Sequence, residues 1–544
     1  MSNPHARISS ARLQALLLLA ALFAGGLASV RMGTDANWDL RNYHLFSAHA
    51  FLHGLTFHHL AAAQIQSFFN PLLNLPAYLL LTALQDMPRL YAFVMGLPAG
   101  LCAYLLAHVT WIHATGLRLD GFARGAAVSL TLALGVTGAA FVPAIGTSTG
   151  DMLTAIPIML AYLLVVREVG RRDEGHPVRV TFVGAAGLLA GSAAGLKLTM
   201  VIYAAPLGLM ILALLGLRAA FAAGLGMLGG FLMFWGPFAW LLWRETGNPM
   251  FPFYNHLFRS PDYLPVASAD ERFLPRSALQ AATYPLWWVQ RTSGLVTELQ
   301  MRDARMAIGY IASICLALGV FGSFLRRRVW AGRRELLLLG VAMGAYILWV
   351  RLFGIYRYLV VLEMLAALVT MVALILLLRQ RCLPVLALIL VLCLATTDRP
   401  NWGHIRFATE ILEVETMPVG PGALVGFVGD QPQAYLVPFM PPSVRVLGLK
   451  NNLISPQADH GLLRRIRAAI REHEGEAWTV TEAGSPPEQT DTALAAYGLE
   501  VTGTCTLVRT SFERGGHRFC PVRKAGDAAS SQLSMPGALE PTSP

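Results

Sequence analysis

The sequence predicts a polytopic α-helical membrane protein of about eleven spans that ends in a small extracytoplasmic α/β domain. Of its 544 residues, 55% are hydrophobic and only 14% charged. The apolar residues gather in runs that repeatedly approach the roughly 20 residues needed to cross a bilayer. After Thr397 the composition changes to an ordinary polar mixture. A net charge of +10 is compatible with nucleic-acid binding, but the basic residues are scattered between apolar runs and form no aromatic-interleaved stripe. Their positions report topology instead.

Spans are predicted at 13–30, 88–112, 125–146, 151–167, 180–196, 199–217, 219–243, 306–325, 335–350, 358–378 and 382–397. The first run follows Arg7 and Arg12, as in a signal peptide, but no clear A-x-A-like site follows it, so an uncleaved span is preferred. The segment from Asn70 to Asp86 is too short for a comfortable crossing and carries Pro71 and Pro76. If it stays on the outer surface, the clusters Arg167/Arg171/Arg172/Arg179, Arg326/Arg327/Arg328/Arg333/Arg334 and Arg379/Arg381 all face the cytoplasm, as the positive-inside rule expects. Counting it as a span puts all three outside. The preferred topology therefore has a cytoplasmic N-terminus. It places the first outer loop (31–87), the turn at 146–151, the Lys197 turn, the 244–305 loop and the C-terminal region outside. Arginines in the 244–305 loop oppose this, but long loops obey the charge rule weakly.

Residues 1–397 thus form the membrane domain and 398–524 an exported domain. Strand-like runs at 423–429, 444–449, 478–482 and 505–510 alternate there with the helix-like HGLLRRIRAAIREHE and TDTALAAYG, the pattern of a small α/β fold. Residues 525–544, rich in Ala, Ser, Gly and Pro, read as disordered. Cys102, Cys315, Cys382 and Cys393 lie in or beside spans, as packing groups. Cys505 and Cys520 share the exported domain and can form a disulfide in an oxidising compartment.

The candidate chemistry lies at the outer ends of spans. GTDANWDLRNYHLF places Asp35 and Asp39 just beyond the first span, where a carboxylate can take a proton from a hydroxyl. A helix starting near Trp38 and lying along the bilayer surface would put Asp39 and Tyr43 on one face. Arg41 fits either an anion or simple solvation. His49 and His53 repeat the four-residue spacing, but no nearby carboxylate completes a metal-ligand set. In GTSTGD, Asp151 fits a helix N-cap or a site acid. In GSAAGLKLT, Lys197 at a hairpin tip fits snorkelling or phosphate binding, and Arg357 in RLFGIYRYL invites the same two readings. The aromatic segment TGNPMFPFYNHLF fits a membrane belt or a platform for a sugar or isoprenoid.

These residues resemble the GT-C class of membrane glycosyltransferases, which use polyprenyl-phosphate-linked sugars. DLRNY at 39–43 is similar to the D-[LF]-x-x-Y signature of the first outer loop in the mannosyltransferase-like branch, and FFNPLLNLP to the Pro-containing segment after it. AAGLKLT resembles that branch's KxTP run, with Met200 in place of the proline. GNPMFPFYN and YRYL are similar to segments of protein-mannosyltransferase and aminoarabinose-transferase relatives. The resemblance covers roughly the first 260 residues and the Arg357 region.

It implies an inverting transfer at the outer face of a bacterial inner membrane, from a polyprenyl-phosphate sugar to a glycan, lipid or protein acceptor. Asp39 would be the base, with Asp35 second and Asp151 assisting. Lys197 and Arg357 would hold the phosphate, with Arg41 and Tyr43 as further substrate-binding candidates. No cofactor is predicted, and a divalent-metal requirement is left open. The alternatives are a transporter or flippase of a lipid-linked saccharide, although no internal repeat marks the sequence, and a surface-polysaccharide ligase or polymerase.

Overall fold

The computed structural model describes residues 4–267, 270–326, 331–513 and 515–525, with the backbone alone at 4–10 and 380. Arg327 and Arg328 of the second basic cluster, and the tail from 526 onward, lie outside the described residues. In chain order the helices are α1 (Pro4–Met32), α2 (Leu45–Leu52), α3 (Leu75–Ala83), α4 (Pro88–Gly116), α5 (Gly121–Val136), α6 (Phe141–Ala144), α7 (Asp151–Asp173), α8 (Val180–Leu196), α9 (Val201–Leu215), α10 (Leu217–Thr246), α11 (Asn255–Phe258), α12 (Ala278–Trp287), α13 (Arg305–Leu325), α14 (Arg333–Leu352), α15 (Val360–Leu378), α16 (Cys382–Thr396), α17 (Gly461–Glu472) and α18 (Pro487–Ala495). The strands are β1 (Thr34–Asp35), β2 (His404–Ile405), β3 (Leu424–Val428), β4 (Arg445–Lys450), β5 (Ala477–Glu482), β6 (Leu499–Val501), β7 (Thr506–Val508) and β8 (His517–Lys524).

Among the described residues, eight helices are long and apolar enough to cross a membrane. Three shorter apolar helices, Gly121–Val136, Val180–Leu196 and Cys382–Thr396, occupy further segments expected to span. The chain packs as two units. The first holds the residues up to Asn37, Leu72–Trp240 and Ala269–Phe407; the second holds Trp38–Pro71, Leu241–Ser268 and the residues from Ala408.

In the first unit the helix ends gather into two groups. At one end β1 pairs antiparallel with β2, His404 Nε2 lies 3.0 Å from the Ile145 carbonyl, and Arg399 donates to the Thr137 carbonyl. At the other end Arg333 meets Asp173 at 2.7 Å and Arg179 meets the buried Glu168 at 2.5 Å. Only α4 and α5 separate β1 from the 146–151 turn as full-length helices, because α3 has nine residues and reaches only about 14 Å. Within the segment from Asn70 to Asp86, α3 is not among the helices long and apolar enough to cross a membrane.

The helix expected at 125–146 is broken. α5 stops at Val136, and α6 begins at Phe141 after a turn at Gly138. The buried Glu363 carboxylate accepts from the Ala140 and Phe141 amides at 3.1 and 2.8 Å, and a Cβ on Gly138 would run into that carboxylate. A carboxylate binding the free amides of a helix start holds the break in place. Elsewhere small residues bring backbones together. A side chain at Gly187 or Gly191 would collide with the α10 backbone at Ala223 or Met227, the close packing that small-residue stripes permit. This fixes α8, whose end carries Lys197.

In the second unit a sheet runs β4-β3-β5-β8-β6, with β7 also paired to β8. β4-β3-β5 are parallel and β8 is antiparallel to β5. Four strands match the expected runs, and α17 and α18 match the expected helices. β6 and β8 were not expected: Pro521, Arg518, Arg523 and Lys524 interrupt the apolar alternation of β8. β8 is nevertheless the strand on which β5, β6 and β7 all pair. α17 buries Leu462, Leu463, Ile466, Ala469 and Ile470, and His460 caps its start by accepting from the Leu463 amide at 3.2 Å. The expected disulfide joins Cys505 to Cys520.

In the first outer loop the helix starts at Trp38, as expected, but Leu40–His44 is a π-helical turn within it before α2 runs over Leu45–Leu52. Its apolar residues Leu45, Phe46 and Ala48 are buried, and α2 packs on the turn Ala434–Phe439 of the α/β fold. Protein satisfies here the apolar face that the sequence assigned to lipid.

Candidate functional site

The sequence candidates fall into two groups, one in each unit. In the first unit Asp151, Lys197 and Arg357 converge. Gly150, at φ 76°, precedes α7 and puts Asp151 at its first helical position, beyond the cap. The Asp151 carboxylate, 1% exposed, receives the Lys197 ammonium on Oδ1 and faces Arg357 Nε at 3.7 Å on Oδ2. Lys197 follows α8 in extended backbone and also donates to the Thr149 carbonyl at 3.0 Å. Arg357 lies in the short helical turn Tyr356–Leu359 that leads into α15.

The Tyr358 ring lies 5.1 Å from the Lys197 ammonium and 5.7 Å from the Arg357 guanidinium carbon, and Tyr203 holds the Tyr358 carbonyl at 2.7 Å. Lys197 and Arg357 thus face one carboxylate, and they keep 14% and 22% of their side chains exposed. Partly buried charges act through a lower dielectric than in water, which makes this cluster a candidate anion site.

Asp35 takes a different role. Its side chain is buried at the same end of the bundle and accepts from the Asn37 amide at 3.1 Å, the Asn37 side chain at 2.7 Å and the Ser148 amide at 2.7 Å. It ties the exit of the first span to the 146–151 turn that carries Asp151.

In the second unit Asp39 directly precedes the π-helical turn, with 9% exposure. Arg41 projects from that turn to Glu513 at 3.2 Å. Tyr43 packs edge-on against Phe69, with centroids 5.4 Å apart. His53 Nδ1 lies 2.8 Å from the His49 carbonyl. His59 is buried, with Nδ1 accepting from the Val446 amide at 3.1 Å; burial beside His58 pushes it down to about 3, so it is neutral at physiological pH.

The TGNPMFPFYNHLF segment is folded around two buried asparagines. Asn248 accepts from the Met250 amide and donates to the Phe253 carbonyl, while Asn255 donates to the carbonyls of Ser260, Tyr263 and Leu264. Phe251 is buried against Phe68, whereas Tyr254, Leu257 and Phe258 are exposed. A cavity of about 370 Å³ in the α/β fold, lined by Leu424, Leu447, Ile470 and Trp478 among others, includes none of the sequence candidates.

The sequence reading missed the buried ionic residues that shape the bundle end. Asp303 accepts from Arg305 and from the Ala139 amide, Arg305 reaches Thr137 and Thr397, and Glu363 accepts from Tyr356 beside Arg357. A lone acid in the apolar run VVLEMLAAL was the available signal, since intramembrane carboxylates are costly and kept for a purpose.

No protein-family model matches this chain, and none of the curated proteins matches it in sequence. Among solved structures it is similar to ArnT from Cupriavidus metallidurans bound to undecaprenyl phosphate. The TM-score is 0.50 at 14% identity, over 94% of this chain and 98% of that one. At that identity the likeness is one of fold. The helical bundle with a small C-terminal sheet fold expected from the sequence is present, and the chain shares its fold with that structure.

Proposed function

We propose that this protein is an integral-membrane glycosyltransferase that moves a sugar from a polyprenyl-phosphate donor to an acceptor hydroxyl. One observation carries the reading: Lys197 and Arg357, brought from turns far apart in sequence, meet at the Asp151 carboxylate with part of each cationic side chain still exposed. A polyprenyl-phosphate sugar is an anionic phosphodiester, the kind of group that two such cations suit. The fold shared with a protein solved in complex with undecaprenyl phosphate supports the same class of ligand. The donor sugar and the acceptor stay unassigned.

In the proposed reaction Asp39 takes the proton of the acceptor hydroxyl. The oxygen attacks the anomeric carbon with inversion, and the bond from that carbon to the phosphate oxygen breaks with its electrons leaving on the polyprenyl phosphate. The phosphate then gains a second charge, which Lys197 and Arg357 stabilise. Asp151 sets the spacing of the two cations. Asp35 is the second choice as base, since its oxygens already accept three hydrogen bonds. Tyr43 would line the acceptor side. We place the protein in a bacterial inner membrane with eleven crossings, the N-terminus cytoplasmic and the α/β fold periplasmic.

The test is purified protein in lipid nanodiscs with labelled undecaprenyl-phosphate-linked hexoses and pentoses and a panel of acceptors. A new glycosidic product is expected, absent with Asp39→Asn at unchanged abundance and undecaprenyl-phosphate binding. Substantial transfer by Asp39→Asn removes Asp39 as base. Movement of the intact donor across the bilayer, with no product, replaces the enzyme by a transporter.

A further inference from the structure

Asp39 directly precedes a π-helical turn, and a π turn is an uncommon conformation that surrounding structure has to hold. One candidate for that support is a buried polar chain in the second unit. Arg41, inside the turn, reaches Glu513 Oε2 at 3.2 Å, with the two side chains 20% and 13% exposed. Glu513 lies 3.5 Å from Nε2 of the fully buried His517, and that nitrogen is 2.8 Å from the Tyr435 hydroxyl. Tyr435 in turn is 2.9 Å from Thr510, whose hydroxyl accepts from the Glu513 amide at 3.1 Å. Tyr435 belongs to the same turn, Ala434–Phe439, on which the π turn and α2 pack. A few bonds therefore run from the backbone beside Asp39 into the centre of the sheet.

We propose that Arg41 and Glu513 are positioning residues, whose ion pair holds the π turn in register and thereby sets the orientation of Asp39. This rests on Asp39 being the base. Arg41 then acts through the backbone rather than by touching an anion.

The pair is also sensitive to pH. Burial pushes Glu513 up to about 7, with the neighbouring Glu482 carboxyl adding to the effect and Arg41 opposing it; His517 is pushed down to about 4 and stays neutral. The groups facing Glu513 are Arg41 from the π turn, Glu482 from the end of β5, His517 from β8 and Tyr435 from its turn. Protonating Glu513 below neutrality removes Arg41's counter-charge, and Glu513→Gln imitates that state at every pH.

The experiment is hydrogen exchange of the full-length protein in nanodiscs, read on peptides covering 38–46 and corrected for intrinsic rates. Glu513→Gln is expected to raise exchange there at least tenfold at pH 8, with the strands of the sheet unchanged. The wild type is expected to approach the variant as pH falls from 8 to 6. Charge exchange in Arg41→Glu/Glu513→Arg should restore most of the protection. Equal exchange in wild type and Glu513→Gln, with no pH response, overturns the proposal; a variant that loses protection over the whole sheet does the same, since it shows a general stability role. Turnover separates this proposal from the function it rests on. Glu513→Gln should lower kcat with little change in KM. If Asp39→Asn is inactive while Glu513→Gln keeps full kcat, positioning fails and the base stands. If Asp39→Asn is active, the base assignment fails and exchange alone decides the clamp.

Discussion

At the scale of single residues, the informative quantity is charge held at a bundle end. Lys197 and Arg357 both face the Asp151 carboxylate, and removing either takes one cation from the cluster. Charge-assisted contacts of this kind contribute about 1.5 to 3 kcal/mol, or roughly a ten- to hundredfold change in affinity. Lys197→Met is therefore expected to raise the Kd for undecaprenyl phosphate by about that factor, measured by titration in nanodiscs, with Arg357→Met alike and the double variant worse than either, since it leaves the Asp151 carboxylate facing the phosphate with neither cation. An unchanged Kd in both single variants would exclude this cluster as the phosphate site. Asp151→Asn makes the opposite prediction: it removes the acid that both cations face, so undecaprenyl phosphate should bind more tightly and inhibit turnover as a retained product.

At the scale of elements, what the sequence made legible was whatever apolar periodicity or a fixed chemical rule encodes. The long spans, α17 and the Cys505–Cys520 pairing are of that kind. What it hid depends on partners remote in sequence. The break between α5 and α6 requires Glu363, more than two hundred positions away. β8 is held by three neighbouring strands rather than by its own propensity. The face of α2 was equally suited to lipid and to the Ala434–Phe439 turn. Likewise Lys197 and Arg357 were legible as cations at span ends, but their meeting on Asp151 was not, because no local pattern records it.

Two element-scale predictions follow from the second unit. The disulfide closes a loop with a sequence separation of 15, for which chain-entropy arguments give about 3 kcal/mol. Cys505→Ala/Cys520→Ala should destabilise the α/β fold by roughly that amount in urea, read by exchange of the β7 and β8 amides; a loss well under about 1 kcal/mol would show that the sheet constrains this loop unaided. The histidines set the acid limb. His59 and His517 are held below their ordinary value of 6.5, so the unfolded chain binds their protons first and stability falls as pH drops below 6.5 toward 4. Glu513, raised to about 7, works the other way: its contribution is complete below its ordinary 4.5 and is lost as pH rises through 7. Between these limits the histidines outnumber it. The second unit should accordingly lose stability on acidification by about 1.4 kcal/mol per pH unit for each net proton, and Glu513→Gln should steepen the decline. Stability that instead rises from pH 6.5 to 5 would contradict the burial of His59 and His517.

For the whole molecule, the two groups of helix ends make topology a matter of parity. Contacts such as Asp35 to Ser148, Lys197 to Asp151 and Arg357 to Asp151 require an even number of crossings between partners. Counting α4 and α5, then α7 and α8, then α9, α10, α13 and α14 satisfies each requirement, with α3 and α12 left out. The opposite end carries Arg167, Arg171, Arg172, Arg179, Arg333 and Arg334 on short connections, where the charge rule is strongest. In the proposed topology that end faces the cytoplasm. Glu298 and Glu174 are exposed on opposite ends, at 61% and 64% of their side chains. In a background with Cys315 replaced, Glu298→Cys should react with a membrane-impermeant maleimide on intact spheroplasts, and Glu174→Cys only after permeabilisation. The reverse pattern would put the Asp151 cluster in the cytoplasm, where nucleotide sugars are available and a lipid-linked donor loses its rationale. Equal labelling of both in intact cells would contradict the crossing count itself, since no even number of spans joins two opposite faces.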